Sequence, residues 1–284
     1  MKISIVTDEI SADPETAIEL GVEWGVKDFE LRGFGTNRVP LLNPFQKSRI
    51  RELLDEFNVK IVAISPGLFK CPFPIGQRER FPLRIFDQAL YQQWRQPRDV
   101  VRYHQEELLP LSIEYAKEIG AARIIAFSFE RSFTSELIVP DEILIALRQA
   151  AEQTGAAGLE LVIEVEANFW VDTGRNAAEM MQAVDHPALG VNWDPGNAIV
   201  AGDKPYPDGY GAVRDFVKHV HFKDVAFGAD GSYCFALEGD INWAGQISAL
   251  TTDGYTGYIS VETHMEPKVR CARAMTERLK RLLA

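Results

Sequence analysis

Short apolar runs alternate with longer amphipathic segments along the whole chain. The runs are rich in Ile, Val and Phe, and most are apolar on both faces, as strands of a parallel sheet covered by helices must be. The segments between them have the spacing of amphipathic helices. The pattern therefore predicts eight strands separated by helices, with the strands at residues 2–7, 28–32, 60–65, 123–129, 160–166, 189–194, 217–223 and 257–263.

Residues at the ends of the predicted helices support this division. Asp13-Pro14 can cap and open the first helix, and the segment YAKEIG ends at Gly120, as a helix C-terminus often does. Eight strand–helix units without a linker predict an α/β fold, a single (β/α)8 TIM barrel formed by one domain of residues 1–284. A doubly wound open sheet would need a glycine-rich turn after an early strand, and TDEISADP has no glycine.

One connection, at residues 66–98, is too long for a plain loop. It contains several prolines and aromatic residues, and its predicted helix lies near residues 83–94. Long insertions after barrel strands usually lie over the active-site face, which favours a lid. The alternative is a surface whose aromatic side chains pack on a second subunit of a homo-oligomer.

Composition and charge narrow the function classes. The chain has 284 residues, 46% of them hydrophobic, and a formal net charge of -11, which argues against a nucleic-acid partner. The N-terminal segment is too polar for a signal peptide, and no run is long enough to span a membrane. The three cysteines lack paired spacing, so reduced thiols and a cytoplasmic location are expected.

Polar residues interrupt the last four predicted strands at or near their carboxyl ends. A barrel enzyme gathers its chemistry at that face, and a carboxylate in an apolar strand is costly to desolvate without a cation or donor. We therefore expect one divalent metal ion, with the ligands Glu164, Asp194, His221 and Glu262. Three carboxylates and one imidazole suit Mn²⁺, Mg²⁺ or Co²⁺ and also admit Zn²⁺. The alternative is that local backbone donors satisfy each group separately.

Neighbouring polar residues share a side with these candidates, because residues two apart in a strand point the same way. Glu166 accompanies Glu164, and it would brace the metal ligand or contact substrate. His219 accompanies His221 but lies farther from the active-site end, so the metal is assigned to His221. His264 accompanies Glu262 and is predicted to contact substrate or support the ligands.

The C-terminal half resembles the xylose-isomerase-like superfamily of sugar phosphate isomerases and epimerases. The resemblance rests on LVIEVEAN, LGVNWDPGN, VKHVHFKD and GDINWAGQISALTTDGYTGYISVETH, with DFELRG and YAKEIGAARI as weaker segments. It implies the same four metal ligands, and it places Asn197, Lys223 and Glu30 near the substrate. Many members have histidine where this chain has Asn197.

The same superfamily contains DNA-repair endonucleases that hold three zinc ions with many histidines. This chain has only five histidines. It has other residues where that enzyme needs ligands, namely Ser65, Ser128 and Asn197. Together with the negative charge, this argues against a nuclease.

The expected activity is proton transfer next to a carbonyl of a small sugar, polyol or keto-acid. Glu164 and Glu262 would act as acid and base, through an enediolate that the metal stabilises. Lys223 and Arg32 would contact the substrate, or form ion pairs with Asp224 and Glu30 respectively. The outcome is isomerisation or epimerisation; dehydration of a keto-polyol, or a non-catalytic sugar-binding barrel, is the alternative.

Overall fold

Eight parallel strands close into a barrel in the computed structural model, which describes residues 1–74, 97–131 and 138–284. Each strand pairs with the next one along the chain, and the last pairs with the first. This confirms the predicted (β/α)8 TIM barrel. In chain order, β1 to β8 are Lys2–Val6, Asp28–Leu31, Lys60–Leu68, Arg123–Ala126, Glu160–Glu164, Leu189–Trp193, Val217–Phe222 and Tyr258–Val261.

Helices follow the strands and pack around the barrel. Asp13 caps the first helix through its side chain, and Asn43 forms a reciprocal capping box with Gln46 at the second. None of the described helices is long and apolar enough to cross a membrane. The α-helices are Pro14–Glu23, Pro44–Phe57, Pro97–Tyr103, Leu109–Glu118, Asp141–Ala156, Gly174–Val184, Pro195–Val200, Tyr210–Val213, Trp243–Thr252 and Lys268–Leu283.

Strand β3 continues three residues beyond its predicted end. Leu68 still pairs with Ala126 of β4, after an irregularity that begins at Ile64. Pro66 is accommodated there because a strand can lose a ladder hydrogen bond where the register shifts. Most of the predicted 66–98 insertion, including the helix near 83–94, lies outside the described residues.

The barrel interior is apolar on one side and polar on the other. Ala63, Ile125 and Val162, from β3, β4 and β5, form a small apolar cluster separate from the main core. On the opposite side His219 of β7 hydrogen-bonds Ser260 of β8, with 2.9 Å between Nε2 and Oγ. The polar pair therefore lies on β7 and β8, two of the four strands whose carboxyl ends carry the predicted metal ligands.

Candidate metal centre

The four predicted metal ligands meet at the carboxyl end of the barrel. Glu164 is the last residue of β5, Asp194 directly follows β6, His221 lies in β7, and Glu262 directly follows β8. One ligand atom from each residue lies within 4.8 Å of the other three. All four residues are buried, with at most 4% of their surface exposed. The cluster is therefore formed by strand ends rather than by loops.

His221 lies at the centre of this cluster. Its Nδ1 atom is 3.2 Å from Glu262 Oε2, 3.5 Å from Glu164 Oε1 and 3.6 Å from Asp194 Oδ2. Within the described part of the chain, neither Nδ1 nor Asp194 Oδ2 has a hydrogen bond of suitable geometry. Three carboxylate oxygens and one ring nitrogen that converge in this way, two of the four atoms without a hydrogen bond, fit a divalent cation.

The same carboxylates change the titration of His221. Burial lowers the pKa of its imidazole, but Glu30, Glu262 and Glu164 outweigh burial and raise the pKa well above its usual value. Without a metal ion, a proton on His221 partly neutralises the three carboxylates. A metal ion at Nδ1 would replace that proton.

Glu30 lies behind His221 rather than at the open side of the cluster. Its Oε2 atom is 3.0 Å from His221 Nε2 and 3.2 Å from His219 Nε2. Burial raises the pKa of Glu30, but the two histidines outweigh it and lower the pKa to about 2. Glu30 does not pair with Arg32. This position suits a carboxylate that holds His221, because metal-binding histidines usually donate their other N–H to a carboxylate.

Lys223 is fully buried beside two of the candidate ligands. Its Nζ atom is 2.8 Å from Asp194 Oδ2 and 2.7 Å from Glu262 Oε2. Burial lowers the pKa of this lysine, but Asp194 and Glu262 outweigh burial and raise the pKa well above its usual value. The predicted alternative partner, Asp224, instead contacts Arg278 at 2.8 Å. Lys223 thus supplies a fixed positive charge at the cluster.

The side chain of Asn197 lies between Glu164, the last residue of β5, and Glu166. Its Nδ2 atom donates to Val165 O at 3.0 Å and to Glu166 Oε2 at 3.2 Å, and it lies 3.4 Å from Glu164 Oε1. Lys70 Nζ is 3.4 Å from the other oxygen of Glu166. Burial raises the pKa of Glu166. Glu166, Asn197 and Lys70 therefore form a polar wall next to Glu164.

Arg32 and His264 border the cluster on the β8 side. Arg32 donates to Glu262 Oε1, Glu9 Oε1 and both oxygens of Asp8. The His264 ring lies between Glu9 and Glu262, with nitrogen–oxygen distances of 3.2 and 3.4 Å. Burial lowers the pKa of His264, but the carboxylates, led by Glu262, raise it to about 9.

The structure brings together all ten residues that the sequence nominated for the site, and it adds Asp8, Glu9 and Lys70. Asp8 and Glu9 lie in a short 3-10 turn, Thr7–Glu9, directly after β1. Their sequence signal is an acidic pair at the carboxyl end of an apolar strand. Because β1 neighbours β8 in the closed barrel, this pair lies next to Glu262 and His264.

Known proteins with similar sequences and folds include enzymes. The inosose dehydratase of Lacticaseibacillus casei is 19% identical over 270 residues, which cover 89% of this chain and 86% of the relative. Among solved structures, L-ribulose 3-epimerase has a TM-score of 0.71 at 16% identity, covering 100% of this chain and 95% of the other. The IolI protein with a bound zinc atom also has a TM-score of 0.71, at 18% identity and coverages of 100% and 96%.

A family profile described as the xylose isomerase-like TIM barrel matches residues 18–282, which is nearly the whole chain. This agrees with the closed barrel and with the motifs in its C-terminal half. The chain therefore belongs to the xylose isomerase-like TIM barrel family.

Proposed function

We propose that this protein is a divalent-metal-dependent isomerase or epimerase of a small sugar, polyol or keto-acid. The observation that carries the proposal is the convergence of four buried ligand atoms, from β5 to β8, within 4.8 Å of one another. In (β/α)8 enzymes the carboxyl ends of the strands hold the reacting groups. The proposal includes a cytoplasmic location and a small-molecule substrate, with neither nucleic acid nor a membrane as a partner.

Glu164, Asp194, His221 and Glu262 would hold one metal ion. When bound, the ion would draw electron density from a substrate carbonyl and the adjacent hydroxyl, which favours loss of the proton on the neighbouring carbon. The ligand set is rich in carboxylate oxygen, which suits Mn²⁺, Mg²⁺ or Co²⁺, and the imidazole admits Zn²⁺. Among relatives, the IolI structure contains zinc.

The two glutamates would move the proton. Glu164 lies beside Asn197, which donates toward its Oε1 at 3.4 Å, and Glu262 directly follows β8. Burial raises the pKa of Glu262, but Lys223 and the two nearby histidines outweigh it and hold the pKa well below its usual range. Glu262 is thus ionised before turnover, as a proton acceptor and ligand must be.

Groups at the border of the cluster would orient the substrate. Lys223 provides an ammonium group that can offset negative charge developing on a substrate oxygen. Glu166, Asn197 and His264 offer hydrogen-bonding groups suited to hydroxyls. The mixture of acidic and basic groups suits a polyhydroxylated molecule rather than a purely apolar one.

Proton exchange is the test. The Mn²⁺-loaded protein should incorporate deuterium from heavy water into at least one compound in a panel of ketoses, inosose-type ketones and small hydroxy-keto acids. Glu164→Gln should lower the exchange rate by about a hundredfold or more. Glu160→Gln, at the other end of β5, is the matched control and should exchange at the wild-type rate. Equal exchange by both variants would contradict the proposal.

Dehydration is the second candidate, because inosose dehydratases are among the curated relatives. Both reactions begin with removal of the same kind of proton, so exchange does not separate them. Product mass does: isomerisation or epimerisation leaves the mass unchanged, and dehydration lowers it by one water. A barrel that only binds sugar would catalyse neither exchange nor a change of product.

A further inference from the structure

The two carboxylate oxygens of Glu262 have different neighbours. Oε2 faces the cluster, 3.2 Å from His221 Nδ1 and 2.7 Å from Lys223 Nζ. Oε1 accepts a hydrogen bond from Arg32 Nη1 at 2.8 Å. Glu262 therefore presents one oxygen to the site, while the other is held by a guanidinium group.

Arg32 is itself fixed by two further carboxylates. Its Nε atom is 2.9 and 3.0 Å from the two oxygens of Asp8, and its Nη2 atom is 2.8 Å from Glu9 Oε1. The three nitrogen atoms of the guanidinium group thus each contact a different acidic side chain. Because the guanidinium is planar and rigid, contacts at Nε and Nη2 determine the direction in which Nη1 points.

Glu9 also holds the backbone that follows Glu262. Its Oε2 atom accepts from Thr263 N at 3.0 Å, Thr263 Oγ1 at 2.9 Å and His264 N at 2.8 Å. His264 adopts a φ of 53°, in the left-handed region that non-glycine residues rarely occupy. The same acidic side chain therefore fixes both Arg32 and the end of β8 that carries Glu262.

We propose that Arg32 is a positioning residue for the metal centre, and that Asp8 and Glu9 hold it in place. It contacts Glu262 Oε1, which leaves Oε2 facing the cluster in one orientation, as the oxygen that would hold a metal ion. The inference rests on the proposed function, since it presumes that the cluster binds a metal ion. It assigns Arg32 a different task from the substrate contact expected from the sequence.

Positioning and simple electrostatics predict opposite effects of removing this arginine. A positive charge beside a ligand repels a metal cation, so loss of the charge alone would tighten metal binding. Loss of an orienting partner would weaken metal binding, because partners of metal ligands typically contribute 10–100-fold in affinity. The sign of the change therefore separates the two roles.

The experiment measures Mn²⁺ affinity by titration calorimetry on the full-length protein after chelator treatment. Arg32→Lys keeps the charge but loses the planar fork, and Arg32→Gln loses both. Arg49, which contacts the carboxylates of Glu15, Glu52 and Glu56 on the surface, supplies the matched controls Arg49→Lys and Arg49→Gln. Circular dichroism establishes that each variant is folded.

We expect both Arg32 variants to bind Mn²⁺ about tenfold more weakly than wild type, and both Arg49 variants to bind within about twofold of it. Wild-type affinity in Arg32→Lys, or tighter binding in Arg32→Gln, would overturn the inference. If Arg32→Gln fails to fold, Arg32→Lys decides alone. Failure of the wild-type protein itself to bind Mn²⁺ would instead contradict the proposed function, so the two failures are distinguishable.

Discussion

At the scale of single residues, the two ring nitrogens of His221 contact different groups. Nδ1 faces the carboxylates of the cluster, and Nε2 faces Glu30 at 3.0 Å. An ionised Glu30 favours the tautomer that carries its proton on Nε2, which leaves the Nδ1 lone pair available to a metal ion. The orientation of His221 thus depends on a residue outside the cluster.

Substitution of Glu30 tests this dependence. Glu30→Gln should weaken Mn²⁺ binding by about 10–100-fold, because a neutral amide holds the imidazole less firmly and selects its tautomer less strongly. Calorimetric titration measures the change, with Glu160→Gln, at the amino end of β5, as the control. Wild-type affinity in Glu30→Gln would show that His221 is oriented by other contacts.

The raised pKa of His221 predicts a pH dependence of metal binding. Without metal, His221 is protonated at neutral pH, so binding should release about one proton and strengthen as the pH rises. The raised pKa of His221 also stabilises the metal-free fold. This contribution is fully present below the pKa of an unfolded histidine, about 6.5, and it is lost as the pH rises through the higher pKa of the folded protein. Calorimetry in buffers of different ionisation enthalpy counts the protons. No release at pH 7 would contradict the account.

Sequence reasoning found the four residues of the buried cluster but missed the residues that hold one of them. Glu164, Asp194, His221 and Glu262 stand out because polar groups are rare at the ends of apolar strands. Asp8 and Glu9 also follow an apolar strand, but their role was not predicted. They contact the end of β8, which is distant in sequence and becomes adjacent only once the barrel closes.

At the scale of secondary-structure elements, Asp194 has two tasks. Its Oδ1 atom accepts from Asn197 N at 2.9 Å and caps the helix Pro195–Val200. Its Oδ2 atom faces the metal cluster, 3.6 Å from His221 Nδ1. A single aspartate therefore begins a helix and contributes a candidate ligand, which ties the local backbone to the site.

Two substitutions separate these tasks. Asp194→Asn keeps a side-chain oxygen for the cap and loses the charge, whereas Asp194→Ala loses both. Both variants should bind Mn²⁺ much more weakly than wild type, and Asp194→Asn should be more stable than Asp194→Ala by about 1 kcal/mol in chelator. Chemical denaturation gives the stabilities. Equal stability of the two variants would show that the cap contributes nothing.

The strands could be predicted because their apolar pattern is strong. Several side-chain contacts could not be predicted from the sequence. The proposed pairing of Lys223 with Asp224 fails since adjacent residues in an extended chain point to opposite sides. Lys223 points into the cluster and Asp224 points toward Arg278 on the last helix. Strand β3 was predicted too short because Pro66 and Gly67 look like a strand end, although pairing resumes at Leu68.

At the scale of the whole molecule, the barrel brings residues from distant parts of the sequence to one face. Asp8 and Glu262 are far apart in the chain, and Arg32 joins them through 2.9 and 2.8 Å contacts. The fold class and the convergence of the four strand-end residues follow from this architecture. The substrate does not, since one barrel fold supports many reactions, and relatives of similar identity include both a dehydratase and an epimerase.

The most direct measurement of the central claim is the anomalous scattering of Mn²⁺ in crystals of the wild-type protein soaked with the ion. The account predicts one strong peak about 2.0–2.5 Å from a ligand atom of each of Glu164, Asp194, His221 and Glu262. The peak should disappear in Asp194→Ala crystals. A fully soaked crystal with no peak at the cluster, or with its main peak elsewhere, would contradict the proposed metal centre.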